Sequence, residues 1–179
     1  IVRLGFRQCR NLILSTSMAS LMKNLSLEEE WVRDVLCRHG FLTGMLAINV
    51  NKIVGTGFQG EEFAAGLVHD FGRLLLAVCV PDKFCTADPL HFDESPEMLT
   101  MERRILGTDH CEAGAWYAEL SKLPSEFVEV IRYHHNPAAC TKHRRLVALV
   151  AIADHMASYL QRFDNGNQYN LRDNEAVYV

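Results

Sequence analysis

Polar residues of the kinds that bind metals recur inside the apolar segments of this chain. In "AAGLVHDFGRLLL", residues 64–76, His69 and Asp70 stand side by side in an otherwise apolar run, with Arg73 one turn on. Burying an imidazole and a carboxylate without partners costs several kcal/mol, so such a run carries them only where hydrogen bonds or a metal ion compensate. His39 falls on an apolar stripe with Trp31, Val35, Leu42 and Leu46, so it is expected to point inward. Asp154 lies one turn beyond Val150 in "LVALVAIADHMASYL", and a buried carboxylate is far rarer than a buried histidine.

His110 is expected near the positive N-terminal end of a helix, which favours the neutral imidazole a metal needs; His134 and His135 end another helix, where the dipole favours imidazolium. Each residue has an ordinary alternative. A lone core histidine more often bonds a backbone carbonyl, Asp154 can cap a neighbouring helix, and paired histidines can form a solvated helix end. Taken together, five histidines and two aspartates on five separate helices are explained more simply by one shared site. Imidazole and carboxylate without thiolate suit iron, manganese, zinc or cobalt, and the ligands suffice for one or two ions. A carboxylate bridging two ions would hold a hydroxide at lowered pKa and grip a phosphoryl oxygen, as in phosphate ester hydrolysis.

Helical spacing dominates the elements that must position these residues, and strict alternation of the strand kind is almost absent, so the fold class is all-α. Helices are expected over residues 1–23, 27–51, from Gly60 to near Pro81, Pro96–Leu106 closed by Gly107, and Asp109–Lys122. Two more run from Pro124 to His135 and from Lys142 to Arg162. Glu28, Glu29 and Glu30 favour the start of the second helix, and Asp109 with Glu112 resembles a capping box. "PDKFCTADPLHFDESPEM" reads as a polar connection without regular structure, and residues 166–179 as a polar tail beyond a domain of residues 1–165. Trp31, Trp116 and Tyr117 are expected between helices, His91, His143 and His155 away from any site, and "KHRR" on a solvated face.

At 179 residues, 49% apolar, 22% charged and with a formal charge of −4, the chain has the composition of a soluble domain with no general pull toward nucleic acid or membrane. Six cysteines without a CxxC pair point to reduced packing thiols and a cytoplasmic location. No apolar run approaches the roughly 18 residues of a membrane span, and a start at Ile1 reads as a fragment lacking its N-terminal part.

The blocks "GLVHDFGRLLL", "GTDHCEAGAWYAELSKLPSEFVEVIRYHHNP" and "VAIADHMASYL", in this order and spacing, resemble the HDOD domain of the HD phosphohydrolase superfamily, related to the HD-GYP phosphodiesterases. The resemblance covers roughly residues 1–162 and implies a compact HD-type helical bundle. It implies that His39, His69, Asp70 and Asp154 hold one ion, and that His110, His134 and His135, with Asp70 bridging, hold a second. Arg73 stands where the signature usually has a lysine that handles phosphate; arginine keeps the charge but offers a planar fork. After His135 the text "HHNPAACTKH" lacks the Gly-Tyr-Pro element, so cyclic di-GMP hydrolysis is not expected.

Two functions follow from the resemblance. One is a bacterial signalling output module, whose partner would be a signalling protein or an upstream regulatory domain. The other is a metal-dependent phosphohydrolase acting on a phosphate-containing small molecule, with Asp70 and Arg73 as its catalytic residues.

Overall fold

The apolar run around His69 and Asp70 does not form one helix. In the computed structural model, which describes residues 5–24, 30–93, 97–163 and 166–179, helix α3 (Glu61–Val68) stops at the pair and α4 (Phe71–Cys79) starts after it. A continuous helix would point the two side chains about 100° apart. The break instead lets both face one centre, with the Arg73 N–H closing the turn onto the Asp70 carbonyl at 3.0 Å.

The remaining helices are α1 (Phe6–Asn24), α2 (Glu30–Val54), α5 (Pro81–Ala87), α6 (Met98–Leu106), α7 (His110–Leu120), α8 (Ser125–Tyr133) and α9 (Arg144–Arg162), with no strand among the described residues. The expected starts at residues 1, 27 and Pro96, together with Glu28 and Glu29, fall outside the described residues. Helix α5 replaces part of the expected irregular connection. Pro81 occupies its first turn, where a missing N–H costs nothing, and Phe84 and Ala87 bury its inner face. Asp109 caps α7 by accepting the Glu112 N–H at 2.9 Å, and Gly107, at φ 83°, closes α6 in the left-handed region.

Helix α2 packs on α3 and α9, α4 on α7, and α7 on α8. The inward stripe of α2 is Val32, Leu36, His39, Thr43, Ala47 and Asn51, one position away from the expected stripe except at His39. Trp31 is accordingly exposed, as is Trp116, whereas Tyr117 meets Phe71. Buried Val130, Ile131, Val147 and Val150 join α8 and α9, each worth about 1.5–3 kcal/mol of burial. Residues 166–179 form short 3-10 turns laid back on α9, where Asn174 donates to the Ile152 carbonyl at 3.3 Å and Ala176 is buried. His155, expected away from any site, bonds the Tyr169 hydroxyl at 2.9 Å.

Two close backbone approaches fix the helix pairs that carry the polar residues. A Cβ on Gly66 would lie 2.7 Å from the Cα of Gly44, so α3 and α2 cross with almost nothing between them. A Cβ on Gly72 would lie 1.8 Å from the His110 carbonyl oxygen, so α4 rests against the first residue of α7. Gly72→Ala is expected to force these helices apart and cost about 3 kcal/mol. The check is the denaturant midpoint of the metal-free protein, and an unchanged midpoint would refute this account of the α4–α7 contact.

Candidate metal centre

Seven side chains from five segments converge at the break between α3 and α4. His39 comes from the middle of α2, His69 and Asp70 from the break, His110 from the first residue of α7, His134 and His135 from just beyond α8, and Asp154 from the middle of α9. Apart from the partly exposed His135, all are buried. The structure thus brings together every residue that the sequence singled out as a metal ligand.

The outer nitrogens of three imidazoles are anchored to acceptors. His69 Nδ1 donates to the Gly66 carbonyl at 2.7 Å, His134 Nδ1 to the Ile131 carbonyl at 3.0 Å, and His110 Nδ1 to the buried Glu102 carboxylate at 2.9 Å. His39 Nδ1 meets the Gln161 side-chain oxygen. With Nδ1–H donated outward, each ring turns its Nε2 lone pair inward, which is how a carbonyl or carboxylate behind a histidine prepares it for a metal.

Those inner atoms face one another. His110 Nε2 and His134 Nε2 are 3.4 Å apart, and both lie 3.5 Å from Asp70 Oδ1. On the other side, Asp70 Oδ2 lies 3.6 Å from His69 Nε2 and 3.7 Å from His39 Nε2, while Asp154 Oδ1 is 3.3 Å from His69 Nε2 and 2.8 Å from His39 Nε2. One oxygen of Asp70 therefore serves each group. Atoms with lone pairs repel at such distances unless a cation or a proton lies among them. A tetrahedral ion with bonds of about 2.1 Å has ligand separations of about 3.4 Å, which matches this spacing. His69 Nε2 and Asp70 Oδ1, both buried, have no hydrogen-bond partner among the described residues. The donor set therefore fits metal ions in two adjoining groups.

Arg73 lies behind the centre. Its guanidinium forks onto Asp88 at 2.6 and 2.9 Å, donates to Asp70 Oδ2 at 2.9 Å and stacks over Phe92 at 5.1 Å. Burial alone would raise the Asp70 carboxyl, but Arg73 first and His69 next hold it well below the usual carboxylate range. Burial would lower His69, yet Asp70 and Asp154 raise it to about 9. For His135 burial wins, and with His134 beside it the imidazole is held well below its ordinary value. In front, a cavity of about 810 Å³ opens onto His134, His135 and Asp154, with Arg103, Asp173 and Glu175 on its walls.

Sequence reasoning missed Asp88, Glu102 and Gln161. Gln161 carried a signal, since it stands two turns from Asp154 on the same face of α9. Asp88 and Glu102 carried none, because only the folded chain brings them to Arg73 and His110.

Comparisons with known proteins bear on the family and the fold. The family model described as HDOD domain matches residues 1–137. A crystal structure of an HDOD domain protein of unknown function from Geobacter sulfurreducens superposes with a TM-score of 0.78 at 24% identity, covering 98% of this chain and 60% of that one. A "Putative phosphohydrolase" from Shewanella amazonensis gives 0.72 at 24% identity, covering 90% and 58%. A "Putative signal transduction protein" from Marinobacter aquaeolei gives 0.62 at 23%, covering 89% and 36%. An uncharacterized protein of Treponema pallidum is 24% identical over 162 residues, 89% of this chain, which spans only 31% of that protein's length.

Metal uptake into such a centre must displace protons. With His69 raised from 6.5 to about 9, its imidazole is charged at neutral pH and competes with any ion for Nε2. Metal affinity is therefore expected to rise about tenfold per pH unit for this one proton, up to pH 9, and then level off. Competition titrations against a chelator of known pH dependence measure this, and an affinity independent of pH between 6.5 and 9 would count against the site.

Proposed function

The chain belongs to the HDOD domain family, and from that premise we propose that it is a signal-transduction output module built around a transition-metal centre. His39, His69, Asp70 and Asp154 hold one ion, and His110, His134 and His135, with Asp70 shared, hold a second. Iron, manganese, zinc and cobalt all suit this set. Ions bound there would supply Lewis acidity and would lower the pKa of water. The observation that carries the proposal is the orientation of the rings: acceptors behind His69, His110 and His134 leave their inner nitrogens converging on the two oxygens of Asp70.

Arg73 favours a module over an enzyme. Its guanidinium is occupied by Asp88 and Asp70 and is buried, so in this reading it positions Asp70 and does not grip a phosphate. Along the cavity wall the acidic Asp109, Glu112, Asp154, Asp173 and Glu175 outnumber Arg103 and Arg132, which also disfavours an anionic substrate. The output then passes through the surface to a signalling partner or to a regulatory domain elsewhere in a longer protein.

A phosphohydrolase is the second reading, and the cavity of about 810 Å³ reaching His134, His135 and Asp154 favours it, since it has room for a phosphate-containing small molecule. Asp70 then shares the ions, and Arg73 must leave Asp88 to reach a phosphate. Cyclic di-GMP is not the expected substrate, because "HHNPAACTKH" follows where its recognition element would stand.

Elemental analysis of protein purified anaerobically, beside His69→Ala, tests the centre. Roughly one to two equivalents of transition metal in the wild type and a marked loss in the variant are expected. A metal-free wild type would overturn the proposal. A broad panel of phosphate esters and nucleotides separates the readings: no turnover is expected, and turnover abolished by Asp70→Asn with the fold intact would establish the phosphohydrolase.

A further inference from the structure

One buried group beside the centre is absent from the set of imidazoles and carboxylates. Cys111 follows His110 in the first turn of α7 and is 4% exposed. Its sulfur and one ring nitrogen each of His110, His134 and His135 all lie within 4.8 Å of one another. The remaining cysteines have different surroundings. Cys140 is also buried but turns its thiol to the Glu129 carboxylate at 3.1 Å, Cys9 and Cys37 are half-buried, and Cys79 and Cys85 are exposed.

A buried cysteine most often acts as a small apolar residue packed among aliphatic side chains. Cys111 instead faces three imidazoles and lines the same cavity as His134, His135 and Asp154. We propose that Cys111 is a thiolate ligand of the second ion, so that this half of the centre offers sulfur together with nitrogen and the shared Asp70 oxygen. The proposal rests on the metal-centre reading above and narrows it. A thiolate selects zinc, ferrous iron or cobalt over manganese and magnesium. It also adds a negative charge, which suits retention of an ion more than rapid exchange.

Burial pushes the Cys111 thiol up, against the lowering effect of the neighbouring His110. On coordination the S–H bond breaks, the sulfur keeps the electron pair and bonds the metal, and the proton leaves through the cavity to solvent. No oxidant or reductant is required.

The test uses the whole chain, reduced and loaded anaerobically with cobalt(II) or zinc(II). Wild-type protein with cobalt is expected to show a thiolate-to-metal charge-transfer band in the near ultraviolet, and Cys111→Ser is expected to lose that band and to bind cobalt at least tenfold more weakly. Cys140→Ser is expected to keep it. X-ray absorption at the zinc edge of the wild type needs no variant, and is expected to show a sulfur neighbour at about 2.3 Å beside nitrogen and oxygen at about 2.0–2.2 Å. Bound metal with only nitrogen and oxygen neighbours, or a band that survives in Cys111→Ser, overturns the thiolate and leaves the metal centre standing. Failure of the wild type to bind either ion overturns the centre, and the thiolate with it.

Discussion

An imbalance of buried charge governs this protein. Asp70, Asp88, Glu102 and Asp154 are buried around one point in the helical bundle, and Arg73 is the guanidinium buried among them. Asp88 accepts from Nε and Nη2 of Arg73, and Asp70 from Nη1. Glu102 and Asp154 are left facing imidazoles. Uncompensated charges at such depth cost several kcal/mol each, so positive charge must enter as protons on the histidines or as metal ions. Asp70 and Asp154 favour the first of these at His69, raising its imidazole to about 9.

The rest of the architecture holds that arrangement in place. The break after Val68 aims His69 and Asp70 together, the Gly44–Gly66 crossing brings His39 beside them, and Gly72 seats α4 against His110. Backbone carbonyls at Gly66 and Ile131 set the tautomers of His69 and His134, so helix ends supply part of the polar shell. The C-terminal turns laid on α9 complete the wall of the cavity.

Much of this was legible in the sequence, for identifiable reasons. Helical periodicity, the Asp109 cap and the Gly107 stop are local signals, and the structure follows them. The break at His69-Asp70 was not legible, because the run stays apolar and helix-forming on both sides, and the contacts that close the turn, Arg73 N–H to the Asp70 carbonyl and His69 Nδ1 to the Gly66 carbonyl, leave no mark on apolar periodicity. Helix α5 was hidden by its proline, which reads as a breaker but sits where a first turn tolerates it. The stripe of α2 slipped by one position because apolar residues such as Trp31, Phe41 and Met45 remain exposed on its outer side. At the site, residues that stand out against apolar neighbours were visible, whereas Asp88 and Glu102, in polar surroundings along the chain, become part of the centre only through long-range contacts. For Cys111 the sequence offers only packing, because a single cysteine carries no spacing signal.

In the proposed centre, the converging inner nitrogens and the two oxygens of Asp70 enclose metal ions. A crystal structure of anaerobically prepared protein, with diffraction recorded on both sides of the transition-metal absorption edges, tests this most directly. Anomalous density is expected on either side of Asp70, one peak among His39, His69 and Asp154 and the other among His110, His134 and His135. An ordered site without such density, in which the histidines bond the aspartates directly, would contradict it.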